Sequence, residues 1–371
     1  MHVLLTVNAA WNAYNFRRAL IADLIADGHQ VTVLAPFDDT AERLGAMGCD
    51  VVPLTMDLKG VAPHRDLALM RRYVDHFRRL RPDAILSYTI KNNVYGGLAA
   101  RRLTIPALPN VTGLGTAFLS GPALRRIAET LHRTAFYRAP TVFFQNGDDR
   151  DLFVERRLVR EDQVRLVPGS GIDLDHFAPP ERQEASTALT FLLIGRLLRD
   201  KGVVEFVEAA RRVRTSHPEA RFQILGQLGA ENRSAIDPET VQAWQEEGVI
   251  EHLGATDDVR PFIADADCVV LPSYREGTPR TLLEASAMAR PVIATDVPGC
   301  RQVVDDRATG LLCRVRDADD LAEKMLAMIA LGPDRRRAMG QAGRVRMERE
   351  FDQRIVVEAY RDALARAASN R

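Results

Sequence analysis

The sequence predicts an α/β protein of two parallel-sheet domains, and three observations carry that expectation. Short apolar runs alternate with amphipathic ones along both halves of the chain, the pattern of strand–helix–strand units whose strands end up parallel. At 371 residues the chain is too long for one compact core. The alternation breaks once, at PGSGIDLDHF over 168–177 and the polar run 179–186, and then starts again.

In the first series, strands are predicted over 2–8, 29–36, 50–54, 83–88, 106–111, 141–145 and 164–167. The helices between them fall at 15–27, 41–47, 67–81, 94–102, 123–138 and 148–157, the first stopped by Gly28. The second series has strands over 190–195, 221–226, 249–253, 268–272 and 291–295, and helices over 202–214, 238–247, 258–265, 279–289 and 317–331. A last helix over 353–368 follows an Arg- and Met-rich segment and is free to pack on either domain. The expected division is a domain over 1–168, a connection over 169–186, a second domain over 187–352 and a terminal helix within 353–371. Two Rossmann-like domains facing each other across a cleft are the economical architecture, with ligands at the carboxyl ends of the strands.

Composition narrows the class. The chain is 46% apolar, enters a strand almost at once and has no apolar run near 18 residues, so a soluble, cytoplasmic protein without signal peptide or membrane span is expected. Cys49, Cys268, Cys300 and Cys313 show neither CxxC nor Cys/His spacing and read as structural thiols in a reducing compartment. The zero net charge hides an asymmetry: residues 1–168 carry 22 Lys/Arg against 17 Asp/Glu, the remainder 28 against 33. Within 59–138 the count is 14 against 4, which suits an anionic surface or substrate. Nucleic acid is not among the expected partners.

The stretch LPSYREGTPRTLLEASA over 271–287 combines a strand end, a tight turn and a helix start with two carboxylates eight positions apart, Glu276 and Glu284. Pro272 and Gly277 mark the turn, and Thr278 followed by Pro279 predicts an N-cap with proline at the first helical position. Free backbone N–H groups at such a helix start suit an anion such as a diphosphate. Carboxylates on either side of it accept hydrogen bonds from hydroxyls or amines, so the implied ligand is a phosphate ester carrying polyols. A nucleotide sugar fits that description. In GRLLRDKG, Arg196 follows the strand ending at Gly195 and Lys201 lies five residues on, a spacing at which two cations can clamp a diphosphate. Alone, the pair is as well read as surface charge; beside Glu276 and Glu284 it reads as part of a site.

GRLLRDKG, HLGATDDVRPFIADADCVVLPS, REGTPRTLLEASA and PVIATDVPGCRQVV together resemble the retaining GT-B glycosyltransferases of family 4, whose hallmark is a Glu-x7-Glu pair. The resemblance covers nearly the whole chain. It implies that Arg196 and Lys201 hold the diphosphate of a UDP-sugar, Glu276 the hydroxyls of the transferred sugar and Glu284 those of the ribose. The helix start at Gly277, Thr278, Pro279, Arg280 and Thr281, and the loop at His252, Leu253 and Gly254 beside the base, complete the implied donor site. Glu276, Arg196 and Lys201 form the implied catalytic set. Retention is implied to need no protein nucleophile, the leaving diphosphate helping to deprotonate the acceptor on the same face. No cofactor and no metal are expected, because Arg196 and Lys201 supply the charge. Asp173-Leu174-Asp175 matches a metal-binding DxD pattern but falls in the expected connection and is not taken as a metal site. Ala289 and Arg290 stand where the family usually places Gly near a helix end, which predicts an altered C-cap.

In the first domain NAAWNAYNF over 8–16, YTIKNNVYGG over 88–97 and PNVTGLGTAF over 109–118 resemble the subgroup that extends polyprenyl-diphosphate-linked sugars with an N-acetylhexosamine. As loops at predicted strand ends they offer Asn12, Tyr14, Asn15, Asn92, Thr112 and Gly113 to an acceptor sugar, and Lys91 either to an acceptor phosphate or to solvent. Thr112 and Gly113 stand where many relatives carry a His, so no catalytic His is expected. LRRIAETLHRTAFYR over 124–138, and 69–81 likewise, are basic helices. Either they simply pack an apolar stripe on the sheet, or their polar face also meets anionic lipid, each basic residue adding about 1 kcal/mol. The expectation is a transferase, peripheral on the inner face of the cell membrane, moving GalNAc or GlcNAc from a UDP-sugar to a polyprenyl-diphosphate saccharide. A transferase with a soluble acceptor, a UDP-GlcNAc epimerase-like enzyme and a two-domain ligand-binding protein are the alternatives.

Overall fold

The computed structural model describes residues 1–57, 63–113, 121–180, 189–229, 232 and 234–369. Residues 114–118 of the expected acceptor loop and 181–186 of the expected connection lie outside the described residues. The chain divides into two compact units, Met1–Ser170 with Gln353–Arg371, and Gly171–Asp352.

In the first unit β1 (His2–Thr6), β2 (Gln30–Ala35), β3 (Asp50–Pro53), β4 (Ala84–Tyr88), β5 (Ala107–Val111), β6 (Val142–Phe144) and β7 (Val164–Leu166) form a parallel sheet in the order β3-β2-β1-β4-β5-β6-β7. β1 pairs with β2 from His2↔Gln30 to Thr6↔Leu34 and with β4 from Val3↔Ala84 to Thr6↔Ser87. The winding reverses between β1 and β4, where the loops at the carboxyl ends diverge and leave room for a ligand. The helix Gln353–Ser369 closes this unit: Val356, Tyr360 and Leu364, one stripe at helical spacing, share a core with Val3, Leu5 and Leu24. The Tyr360 ring lies 4.2 Å from that of Phe143, and its hydroxyl accepts from Asn110 Nδ2 at 2.7 Å.

Two predicted loops are helical here. Helix Ala10–Ala26 starts five residues before the predicted position, so Asn12, Tyr14 and Asn15 stand on its first turns. The cause is remote: the Asp38 carboxylate accepts from the Trp11 N–H at 2.8 Å, and Pro36 O accepts from the Ala10 N–H at 3.2 Å. A cap delivered from another strand end leaves no local sequence signature. After β4, Thr89 turns the chain at φ 69, and a π-helical turn Asn92–Gly96 runs into helix Gly97–Arg102.

In the second unit β8 (Thr190–Ile194), β9 (Arg221–Leu225), β10 (Glu251–His252), β11 (Cys268–Leu271), β12 (Val292–Thr295) and β13 (Gly310–Cys313) are all parallel, in the order β10-β9-β8-β11-β12-β13. β13 has no counterpart among the predicted strands. It is four residues opening on glycine, and Gly310 lies so close to β12 that a Cβ there would stand 2.5 Å from Val292 O. Helices Pro298–Val303 and Gly332–Arg346 were likewise not predicted. Of the expected connection, residues 171–180 fold with this unit: Ile172, Leu174 and Phe177 lie in its core beside Leu271 and Leu283. Arg344 Nη1 ties that segment down, donating to Leu174 O at 3.1 Å, Phe177 O at 3.0 Å and Ala287 O at 2.8 Å. Within it, Asp173 Oδ1 accepts from the backbone N–H of Asp175 at 3.2 Å and of His176 at 2.9 Å, so this DxD pattern is a turn around a core leucine.

Candidate active site

β8 and β11 are neighbours, registered Cys268↔Phe191 and Val269↔Leu192, so the loops after them leave the sheet side by side at the reversal of winding. Arg196 follows β8 and is exposed. Beyond it the 3-10 turn Arg199–Lys201 ends at Gly202, whose φ is 71. A Cβ on Gly202 would sit 2.1 Å from Pro272 O, so glycine alone lets this turn close against the end of β11. Tyr274 fastens the two loops: its N–H donates to Asp200 O at 2.9 Å, and its hydroxyl to Glu205 Oε1 at 2.7 Å on helix Val203–Arg214. Lys201 Nζ thereby stands 2.5 Å from Glu276 Oε1, the two side chains 26% and 13% exposed. The cation and the carboxylate predicted from separate motifs form one contact.

Helix Arg280–Ala287 has Pro279, not Thr278, at its N-cap, and proline supplies no capping side chain there. Its start is one residue later than predicted, and the anion-receptive character of an uncapped first turn is kept. Glu284 is 8% exposed. Burial raises its pKa, opposed by Arg280, whose Nε donates to Glu284 Oε1 at 2.6 Å. At the other end Ala289 takes φ 56, with Arg290 N–H donating to Ala285 O at 2.9 Å and Ala289 N–H to Ser286 O at 3.0 Å. This is a Schellman cap with alanine at the position that favours glycine, the altered C-cap expected from the sequence. On the far side of β8, Leu253 N–H donates to Ile224 O at 2.9 Å, Gly226 N–H to Gly254 O at 2.7 Å, and His252 Nε2 lies 2.8 Å from Gly226 O. The loop expected beside the base is therefore held at the end of β9.

The acceptor-side candidates divide. Asn92 is fully buried, its Oδ1 accepting from Thr6 Oγ1 at 2.9 Å and from the Tyr73 hydroxyl, its Nδ2 donating to Thr89 Oγ1 at 2.7 Å. It braces β1 against the segment after β4 and is an internal residue, which corrects its placement on a ligand-facing loop. Lys91 is neither solvated nor unpaired: its Nζ lies 3.0 Å from Asp66 Oδ1, the side chains 19% and 5% exposed. Asn12 Nδ2 donates to Asn8 Oδ1 at 3.2 Å and Asn15 Nδ2 to Trp11 O at 2.9 Å. Tyr14 is flanked by Arg18 and Arg43, with guanidinium carbons 5.9 and 5.8 Å from the ring centre. Thr112 and Gly113 are half-buried just past β5.

Family models decide the class. One described as "Glycosyl transferase 4-like domain" matches residues 15–169, and one described as "Glycosyl transferases group 1" matches residues 188–330. The chain is a glycosyltransferase with one domain of each kind. This glycosyltransferase is 26% identical over 380 residues to the N,N'-diacetylbacillosaminyl-diphospho-undecaprenol alpha-1,3-N-acetylgalactosaminyltransferase of Campylobacter jejuni, with 98% of each chain covered. It is 22% identical over 290 residues to the UDP-Gal:alpha-D-GlcNAc-diphosphoundecaprenol alpha-1,3-galactosyltransferase of Escherichia coli, covering 75% of this chain and 72% of that one. Its structure superimposes on Anabaena HepE in complex with UDP-glucose with a TM-score of 0.80 at 17% identity, over 98% of this chain and 99% of that one. The GT-B fold follows from that likeness.

Several residues that shape this candidate site were not singled out from the sequence. Gly299 opens helix Pro298–Val303 against the Glu276 turn, where a Cβ would lie 1.9 Å from Gly277 O and 2.6 Å from Glu276 O. Gly226 plays the same part between strand ends, 1.8 Å from Gly195 O on the same measure. Cys300 is fully buried nearby, and burial together with the Glu276 charge pushes its thiol pKa up, so it is a neutral wall of the site. A Pro-Gly pair after a strand was the available signal for Gly299. Nothing local pointed to Tyr274 or Glu205.

Proposed function

We propose that this enzyme transfers GalNAc or GlcNAc from a UDP-sugar to a polyprenyl-diphosphate-linked saccharide, with retention and without a metal. The observation that carries the donor half is the Lys201–Glu276 contact beside an uncapped helix start at the β8/β11 reversal. Arg196 and Lys201 would take the diphosphate and the charge that grows on it as the nucleotide departs, which is where a positive group lowers the barrier most. Glu276, held by Lys201 and by the backbone packed against Gly299, would accept from the hydroxyls of the transferred sugar. Glu284 would accept from the ribose hydroxyls. With the sugar and acceptor oriented this way, the departing diphosphate oxygen can receive the acceptor proton on the same face.

The activities that name the Campylobacter and Escherichia relatives, both on diphospho-undecaprenol sugars, support the acceptor class. Peripheral docking on the cytoplasmic membrane face fits helix Pro122–Phe136, which exposes Ile127 (56%) next in sequence to the exposed Arg126, with Tyr137, 63% exposed, just beyond its end. Among the described residues no helix is long and apolar enough to cross a membrane. A panel of UDP-, GDP- and ADP-sugars with synthetic polyprenyl-diphosphate acceptors tests the assignment. Glu276→Ala and Lys201→Ala should each lower transfer at least about 100-fold while circular dichroism stays native. Near-normal turnover in either removes that residue from the catalytic set. Flotation with anionic vesicles tests docking, and binding indifferent to salt and lipid charge counts against it.

A further inference from the structure

We infer that the first unit carries a second anion subsite, built around Arg72, Arg65 and Lys91, that holds the diphosphate of the acceptor. The identity of the diphosphate rests on the function proposed above; the existence of the subsite does not.

A cavity of about 290 Å³ lies where the segments following β3 and β4 meet the start of helix Pro63–Leu80, lined among others by Thr55, His64, Arg65, Asp66, Arg72 and Lys91. Both strands present their carboxyl ends here, the side of an open parallel sheet on which ligands bind. The volume is at the low end for a drug-sized ligand, about 300 Å³, which suits a diphosphate better than a nucleotide or a disaccharide.

The charges around this cavity differ in how firmly they are committed. Asp66 is 4% exposed and is matched by Lys91 at 3.0 Å. The Tyr95 hydroxyl also bonds Asp66. One ammonium hydrogen meets that carboxylate, and the group has two further donors. Arg65 meets Asp57 at 3.3 Å in a pair whose side chains are 64% and 46% exposed. Such an exposed pair contributes little, so its guanidinium can turn to a better anion at small cost. Arg72 has no ion pair among the described residues; its Nη1 donates to Thr55 O at 2.7 Å, which fixes the fork and leaves its other N–H groups for a ligand. A guanidinium held in this way is suited to a bidentate phosphate contact. The positive end of an 18-residue helix adds to the same field. Lys91, deprived of the role of a solvated lysine, thus becomes an anchored wall of the subsite.

The test uses the full chain carrying Arg196→Ala and Lys201→Ala, so that the donor clamp does not compete, and titrates it with inorganic pyrophosphate by calorimetry. Saturable binding is expected, weakened at least tenfold by adding Arg72→Ala; Arg72→Lys should keep part of it. Arg72 is exposed, and an unchanged melting temperature confirms that the variant is folded. In the otherwise natural enzyme, Arg72→Ala should raise the KM for a polyprenyl-diphosphate saccharide about tenfold and leave that for the UDP-sugar unchanged. Absence of pyrophosphate binding, or binding indifferent to Arg72, overturns the subsite. Pyrophosphate binding that depends on Arg72 with an unaltered acceptor KM overturns its assignment to the acceptor. If the natural enzyme uses no polyprenyl-diphosphate acceptor at all, the proposed function fails, and the pyrophosphate titration still decides the subsite.

Discussion

Single side chains set the geometry on which the proposed donor site depends. Tyr274 touches neither Lys201 nor Glu276 in the contacts described above, yet its N–H holds Asp200 and its hydroxyl holds Glu205, one on each side of the Lys201 turn. Burial and Glu205 raise its pKa to about 12, so the hydroxyl remains a donor throughout the physiological range. The other Glu205 oxygen is buried without a partner, which makes the tyrosine hydroxyl that carboxylate's main support. Tyr274→Phe should therefore lower kcat about tenfold through misplacement of Lys201, with a smaller change in UDP affinity; equal losses in both would mark a general loosening instead. Glu284 makes a prediction of another kind. Its folded pKa lies above the ordinary value of 4.5, so the native state binds the proton more tightly than the unfolded one. Stability is then lost as pH rises from about 4.5 through the folded pKa. Glu284→Gln removes this slope: its melting temperature should fall less between pH 4.5 and 7 than that of the natural protein, while UDP binding weakens about tenfold. Parallel melting curves for the two proteins would refute the assignment.

At the scale of elements, both ends of a helix matter. Helix Ala10–Ala26 gains its first turns from the Asp38 carboxylate, a group supplied by the chain after β2. That is why three candidate acceptor residues stand on a helix and not on a loop. Helix Arg280–Ala287, the carrier of Glu284, ends on Ala289 at φ 56. The left-handed conformation costs a non-glycine residue about 1–2 kcal/mol, partly offset by alanine's smaller loss of freedom on folding. Ala289→Gly should raise stability by about 0.5–1 kcal/mol, read as a higher denaturation midpoint at unchanged slope. An unchanged or lower midpoint would show that the cap is strained for another reason, such as the close packing of Gly340, where a Cβ would lie 2.0 Å from Ala289 O.

For the molecule as a whole, the path of the chain is the main consequence. The first unit is discontinuous: it is completed by Gln353–Ser369, whose Tyr360 packs on Phe143 and bonds Asn110. Tyr360→Ala removes a fully buried ring and should cost about 3–5 kcal/mol. Calorimetry should place that loss in the transition of the first unit, while the UDP-induced stabilisation of the second unit survives. Loss of both together would mean that the two units unfold as one.

Much of this was legible in the chain alone. Alternating apolar runs gave the two parallel sheets, and Arg196, Lys201, Glu276 and Glu284 stood in motifs whose residue types have few other uses together. These are short-range patterns, written within single strand–turn–helix units. What the folded structure decided depends on partners far apart in sequence. Asp38 caps a helix that the local sequence starts later, Asn92 turns inward to Thr6 and Tyr73, and Asp66 claims Lys91. The terminal helix, able by its sequence to join either domain, belongs with the first because Tyr360 finds Phe143 and Asn110 there. Local propensity specifies which elements form; which polar group meets which, and so which of them remains for a ligand, is settled by contacts that no stretch of sequence contains.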